Sequence, residues 1–164
     1  MKNPFLLMLI ATLTITLSGC NFIEKQMEEQ KSEKMIEVYY QSIIDENYEK
    51  AFQQLYLYDY DPEKTNQNKS NGTNLSKEEA KEFYLKKIEF LKNQNYKLTD
   101  FEIEEVEYAD GHTFWHHIKL EVEQNGKKIE WSEVADIYEE KLLVSSKGDP
   151  YVKYRDGKMN FEIE

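Results

Sequence analysis

Thirteen uncharged residues from Phe5 to Leu17 open the chain behind Lys2, and they are followed by the polar stretch NFIEKQMEEQKSEK over residues 21–34. From Met35 the apolar positions fall on a helical stripe, with Ile36, Tyr40, Ile43 and Ile44 on one face and Met35 and Tyr39 beside it. The spacing predicts a first helix over about 28–45. Asp45-Glu46-Asn47 interrupts it, and Asn47 can cap a second short helix whose apolar positions are Tyr48, Ala51, Phe52 and Leu55. Residues 58–75 contain Pro62, Gly72 and many Asn, Ser, Thr and Lys without periodicity, which predicts a long exposed loop. Ser76-Lys77-Glu78-Glu79 reads as a capping box, and Ala80, Phe83, Tyr84, Ile88 and Leu91 then supply the apolar face of a third helix over about 77–93.

Beyond Asn95 the period becomes two. Phe101 and Ile103 alternate with glutamates, and the phase then shifts to Val106 and Tyr108, which predicts a bulge near Glu104-Glu105. Asp110-Gly111 turns into a strand from Thr113 to Glu123 with Phe114, His116, Ile118, Leu120 and Val122 on one face. Asn125-Gly126 is a strong hairpin signal leading to a strand from Lys128 to about Glu139, with Ile129, Trp131, Ala135 and Ile137 on one side. A fourth strand is expected over Lys141–Ser145. A last hairpin is expected between 152–154 and 159–161, turned at Asp156-Gly157. Segregated helices and strands predict an α+β class: three N-terminal helices packed on a curved antiparallel meander of about four to six strands.

The uncharged N-terminal run is shorter than the roughly 20 residues a membrane-spanning helix needs. With Lys2 before it, the run follows the grammar of a secretion signal. It ends in Leu17-Ser18-Gly19-Cys20, which resembles the lipobox of bacterial lipoproteins. The resemblance implies a diacylglyceryl group on Cys20, cleavage between Gly19 and Cys20, and attachment to the outer side of a cell membrane. That is the outer surface of a Gram-positive-like cell or the periplasmic side of a Gram-negative one. Two acyl chains suffice for stable anchoring where one does not, at about 0.8 kcal/mol per buried methylene. The expected organisation is a signal segment 1–19, a lipidated polar tether 20–34 and one domain 35–164. Removing residues 1–19 from 164 leaves 145, enough for one self-sufficient core.

Acidic residues outnumber basic ones by 32 to 21, a net charge of −11 that loses one further positive charge with Lys2. No basic cluster offsets this, which argues against nucleic acid as a partner. Twelve tyrosines and 13% aromatic residues are too many for a disordered acidic chain. Cys20 is the one cysteine, so neither an intramolecular disulfide nor a multi-cysteine metal site can form.

The motif Tyr39-Tyr40-x-x-Ile43-Ile44-x-x-x-Tyr48-x-x-Ala51-Phe52 resembles the opening helix pair of the NTF2-like, cystatin-like superfamily, which includes extracytoplasmic lipoproteins. Val152–Phe161, with Asp156-Gly157-Lys158, resembles its closing hairpin, although Met159 stands where that family usually has tryptophan. The resemblance implies a cone between sheet and helices that serves as an enzyme pocket, a ligand cavity or plain core, and the same domain also docks proteins. Fold membership does not choose among these.

Candidate chemistry is sparse. His112, His116 and His117 invite a metal reading, but neighbours in a strand point to opposite faces, and 112 and 116 lie roughly 13 Å apart. We therefore assign no metal site and no cofactor. Asp59-Tyr60-Asp61-Pro62-Glu63 opens like a calcium loop, yet Lys64 and Ser70 occupy the positions that need glycine and glutamate. No nucleophile elbow, P-loop or dinucleotide fingerprint occurs. His116 could meet Asp136 or Glu133 as an acid/base pair in a cone, with Trp131 also lining it. The expected function is thus a non-catalytic module binding a protein or ligand at the membrane or wall, the alternative being an enzyme or small-molecule binder that uses the cone through His116, Trp131 and Asp136.

Overall fold

The computed structural model describes residues 4–60, 72–109, 113–146 and 148–164, with side chains from Ile23 onward. Helix α1 spans Pro4–Ile44, α2 Tyr48–Phe52 and α3 Lys77–Asn93. Four strands follow, β1 Tyr96–Ala109, β2 Thr113–Gln124, β3 Lys127–Tyr138 and β4 Lys141–Ser146, paired in chain order as an open antiparallel meander. The class is α+β, helices first and sheet second. Among the described residues no helix is long and apolar enough to cross a membrane.

Local chemistry explains the boundaries. Glu46 takes a left-handed φ of 57° after α1, and the Asn47 side chain accepts from the Lys50 amide to start α2. The capping box of α3 forms as expected: Ser76 Oγ accepts from the Glu79 amide, and the Glu79 carboxylate accepts from the Ser76 amide at 2.9 Å. Asn95, with φ 52°, turns the chain directly into β1, which begins five residues before the first alternating position. The bulge expected near Glu104-Glu105 is present, since the register steps between Ile103 and Glu105, and a second one lies between Leu98 and Asp100. Asn125 and Gly126 both have positive φ, 51° and 75°, the two-residue hairpin geometry whose twist matches the strands. Glu139 and Glu140 adopt the same left-handed region between β3 and β4 without any glycine to signal it.

The inner face of the sheet carries Ile118, Leu120, Val122, Ala135, Leu142 and Val144, all buried against Ile36, Tyr39, Tyr40 and Ile43 of α1, Phe52 of α2 and Tyr84, Ile88 and Leu91 of α3. β2 alternates as expected, with Phe114, His116, Ile118, Leu120 and Val122 all inward.

Two expectations change. The first helix does not start near residue 28 but runs unbroken from Pro4, and part of the stretch read as a tether packs on the sheet. Ser32 is buried, Lys25 Nζ lies 3.4 Å above the Tyr108 ring, and Lys31 pairs with Glu140 at 3.2 Å. The last hairpin does not form. Val152–Tyr154 is a short 3-10 helix, and the chain after it pairs with residues 56–60: the Tyr58 amide donates to Gly157 O, and the Met159 amide donates to Tyr58 O at 2.8 Å. The reason is close packing rather than turn geometry. A Cβ on Gly157 would sit 1.8 Å from the Tyr56 carbonyl oxygen, so glycine is needed for the approach of two backbones.

Candidate functional site

A cluster of buried charge is set into the apolar core between sheet and helices. Glu133 faces inward on β3, paired across the sheet with Ile118, and its carboxylate accepts two bonds from the Arg155 guanidinium, one from Nη1 at 2.8 Å and one from Nη2. Arg155 Nη2 also donates to Asp149 Oδ2 at 2.7 Å, and its Nε to Tyr96 Oη at 3.3 Å. Tyr40 of α1 donates to Glu133 Oε2 at 2.7 Å, Tyr96 of β1 to Asp149 Oδ2 at 2.7 Å, and Tyr39 to the Arg155 carbonyl at 2.6 Å. The side chains of Arg155, Glu133 and Asp149 are all fully buried.

A second centre adjoins it. Lys87 projects from the apolar stripe of α3, 0% exposed, and its ammonium donates to the Asp156 and Lys158 carbonyls at 2.7 and 2.8 Å and to Asp156 Oδ1 at 3.3 Å. Tyr58 donates to Asp156 Oδ2 at 3.2 Å. Each of the three buried carboxylates thus receives one phenol and at least one cation. Every group is satisfied, which is what keeps buried charge tolerable.

The electrostatics follow from this packing. Burial pulls the Arg155 guanidinium down, but the charge of Glu133 and the neighbouring phenols outweigh it and hold its pKa well above the ordinary value. Burial pushes Tyr39, Tyr40, Tyr84 and Tyr96 up, with Glu133 adding to the effect at Tyr40 and Asp149 at Tyr96. Burial lowers Lys87 to about 8, only partly offset by Asp156.

Of the residues expected to line a cone, Trp131 is set away from His116 along the sheet, while Asp136 adjoins Ala135, the cross-strand partner of His116. His116 is 0% exposed, and neither ring nitrogen has a hydrogen-bond partner among the described residues. Burial therefore lowers its pKa. It pairs with Ala135, whereas Trp131 pairs with Leu120, four strand positions or roughly 13 Å away along the sheet. The Trp131 indole packs against Gly148. Asp136 borders a separate open cavity of about 200 Å³ shared with Ser32, Met35, Phe114 and Ile137. Glu133, weighed as a partner for His116, is committed to Arg155 instead. His117 Nε2 lies 3.5 Å from Glu107 on the other side of the sheet, and His112 lies outside the described residues. So do the Cys20 side chain and most of the loop read as calcium-like. Asp59, at its start, spends its carboxylate on Thr73 Oγ1 at 2.8 Å and on the Asn74 amide at 3.1 Å, closing the neck of that loop.

Sequence reasoning missed Arg155, Asp149, Lys87 and Asp156. Two signals were there to be read. Arg155 is the one arginine among 21 basic residues, and Lys87 falls on the helical stripe defined by Tyr84, Ile88 and Leu91. The cluster binds the C-terminal segment to the sheet, α1 and α3. No protein family, curated protein or solved structure matches the chain.

Proposed function

We propose that the chain is a membrane-anchored extracytoplasmic lipoprotein, cleaved before Cys20, whose domain is a non-catalytic module that binds a protein or ligand at the membrane or wall. The observation that carries this is the run from Phe5 to Leu17 ending in Leu17-Ser18-Gly19-Cys20. The non-catalytic part is supported by the interior: where an NTF2-like cone would open, Arg155, Glu133, Asp149 and the phenols fill the space with mutually satisfied groups. The helix pair followed by a meander supports an NTF2-like relationship. A cone enzyme using His116, Trp131 and Asp136 draws less support, because Trp131 is four strand positions from His116.

Metabolic labelling with radioactive palmitate, followed by detergent phase separation, tests the anchor. The wild type incorporates label and enters the detergent phase, and Cys20→Ser incorporates none. Label retained on Cys20→Ser would overturn the lipid assignment. Cross-linking and pull-down from intact membranes tests the module, and repeated recovery of background alone counts against it.

A further inference from the structure

The end of the molecule nearest Cys20 carries most of the large exposed hydrophobic side chains among the described residues. Six large hydrophobic side chains are conspicuously exposed among the described residues, and four of them, Ile23 (59%), Met27 (65%), Tyr108 (42%) and Trp115 (42%), lie at this end. Ile23 and Met27 are one helical turn apart on α1. Tyr108 and Trp115 sit near the β1–β2 connection, where Glu107 pairs with Trp115 and Tyr108 with Phe114. Lys25 joins the helix to Tyr108, its ammonium 3.4 Å above that ring and 5.9 Å from Phe114, while Trp115 lies on the outer face of the same end of β2.

The distance from the anchor decides what can cover this surface. Helix α1 is continuous through Cys20, so Lys25 lies five residues, or roughly 7.5 Å, along the axis from it. The polar zone of each leaflet is about 5–7 Å deep. A domain that begins this close to its lipid has no slack with which to stand away from the bilayer. A protein partner would have to fit into a gap about as thin as a headgroup layer. Trp, Tyr and Lys with aliphatic neighbours are also the side chains that partition to the membrane interface.

We propose that the lipidated domain docks on the bilayer end-on, with Ile23 and Met27 in the interface and Lys25, Tyr108 and Trp115 at headgroup depth. This rests on lipidation of Cys20. It replaces a flexible tether with a rigid mount: the helix that leaves the lipid is the helix that packs on the sheet. Exposed Glu24, Glu28 and Glu107 border the patch, so zwitterionic headgroups suit it better than anionic ones.

The test uses the lipidated protein reconstituted into phosphatidylcholine vesicles, with and without a nitroxide on the lipid headgroup. After flotation, tryptophan emission is compared between wild type and Trp115→Phe, which subtracts Trp131. Docking is supported if the wild type floats and loses emission to the nitroxide while Trp115→Phe loses none. If the wild type floats but its emission ignores the nitroxide, docking is overturned and the anchor stands. If the wild type does not float, the anchor fails and docking falls with it. The variant I23E/M27E should float with reduced quenching, and undiminished quenching would overturn the role given to the helix.

Discussion

Arg155 holds two carboxylates in a fork, whereas Lys87, just as buried, holds one carboxylate and two backbone carbonyls. The difference lies in the head groups. A guanidinium offers five donors in a fixed plane and stays protonated, so it can satisfy two acids at once and keep its charge. An ammonium is a point charge on a flexible stem, and burial brings it down to about 8, within reach of mild alkali. The first centre is therefore a permanent lock, and the second titrates.

The largest expected effect breaks the lock. Arg155→Met leaves Glu133 and Asp149 buried without a cation, held only by phenols and the Tyr151 amide, and should cost about 3–5 kcal/mol in urea unfolding. A cost near that of an exposed lysine substitution would mean the cluster is not closed to water.

Lys87→Met should cost less, roughly 1–3 kcal/mol at neutral pH, because Asp156 keeps Tyr58 and the Lys158 amide as donors. The pH profile then sharpens the contrast. The folded pKa of Lys87 lies below its unfolded value of 10.5, so the unfolded chain binds the extra proton between about 8 and 10.5, and stability rises with pH across that window. Buried tyrosines act oppositely: their folded values lie above 10.0, so their contribution is present below pH 10 and is lost above it. Wild-type stability should thus show a shoulder above pH 8 and then fall, and Lys87→Met should lose the shoulder alone. A shoulder that persists in Lys87→Met would reassign it.

The smallest effect concerns a buried base, His116, whose burial outweighs the charge of Glu29. The folded pKa of His116 lies below 6.5, so its contribution is present above that pH and is lost as pH falls through the folded value. His116→Leu should leave stability at pH 7 unchanged or raise it by about 1 kcal/mol, while flattening the loss toward pH 5. Unfolding midpoints at the two pH values check this, and an unaltered acid slope would show that His116 does not titrate in the fold.

Alternation made β2 and its inward face legible, and the capping box and Asn125-Gly126 placed a helix start and a hairpin, because each rests on interactions within a few residues. The C-terminal segment was not legible in this way. Asp156-Gly157 looks like a turn, but its glycine answers to Tyr56, 101 residues earlier in the chain, and its aspartate to Lys87. Likewise Glu133 reads in sequence as a possible acid/base partner of His116, and only the fold gives its carboxylate to Arg155.

By itself the sequence determined the helical stripes, the caps, the bulge and the meander, all of them patterns of period, turn or local motif. Only the tertiary structure decided that an ionic lock is embedded in the apolar core, and that part of the supposed tether belongs to the helix packed on the sheet. The physical reason is that a charge can be buried only where distant partners converge on it, and that convergence is a property of the fold.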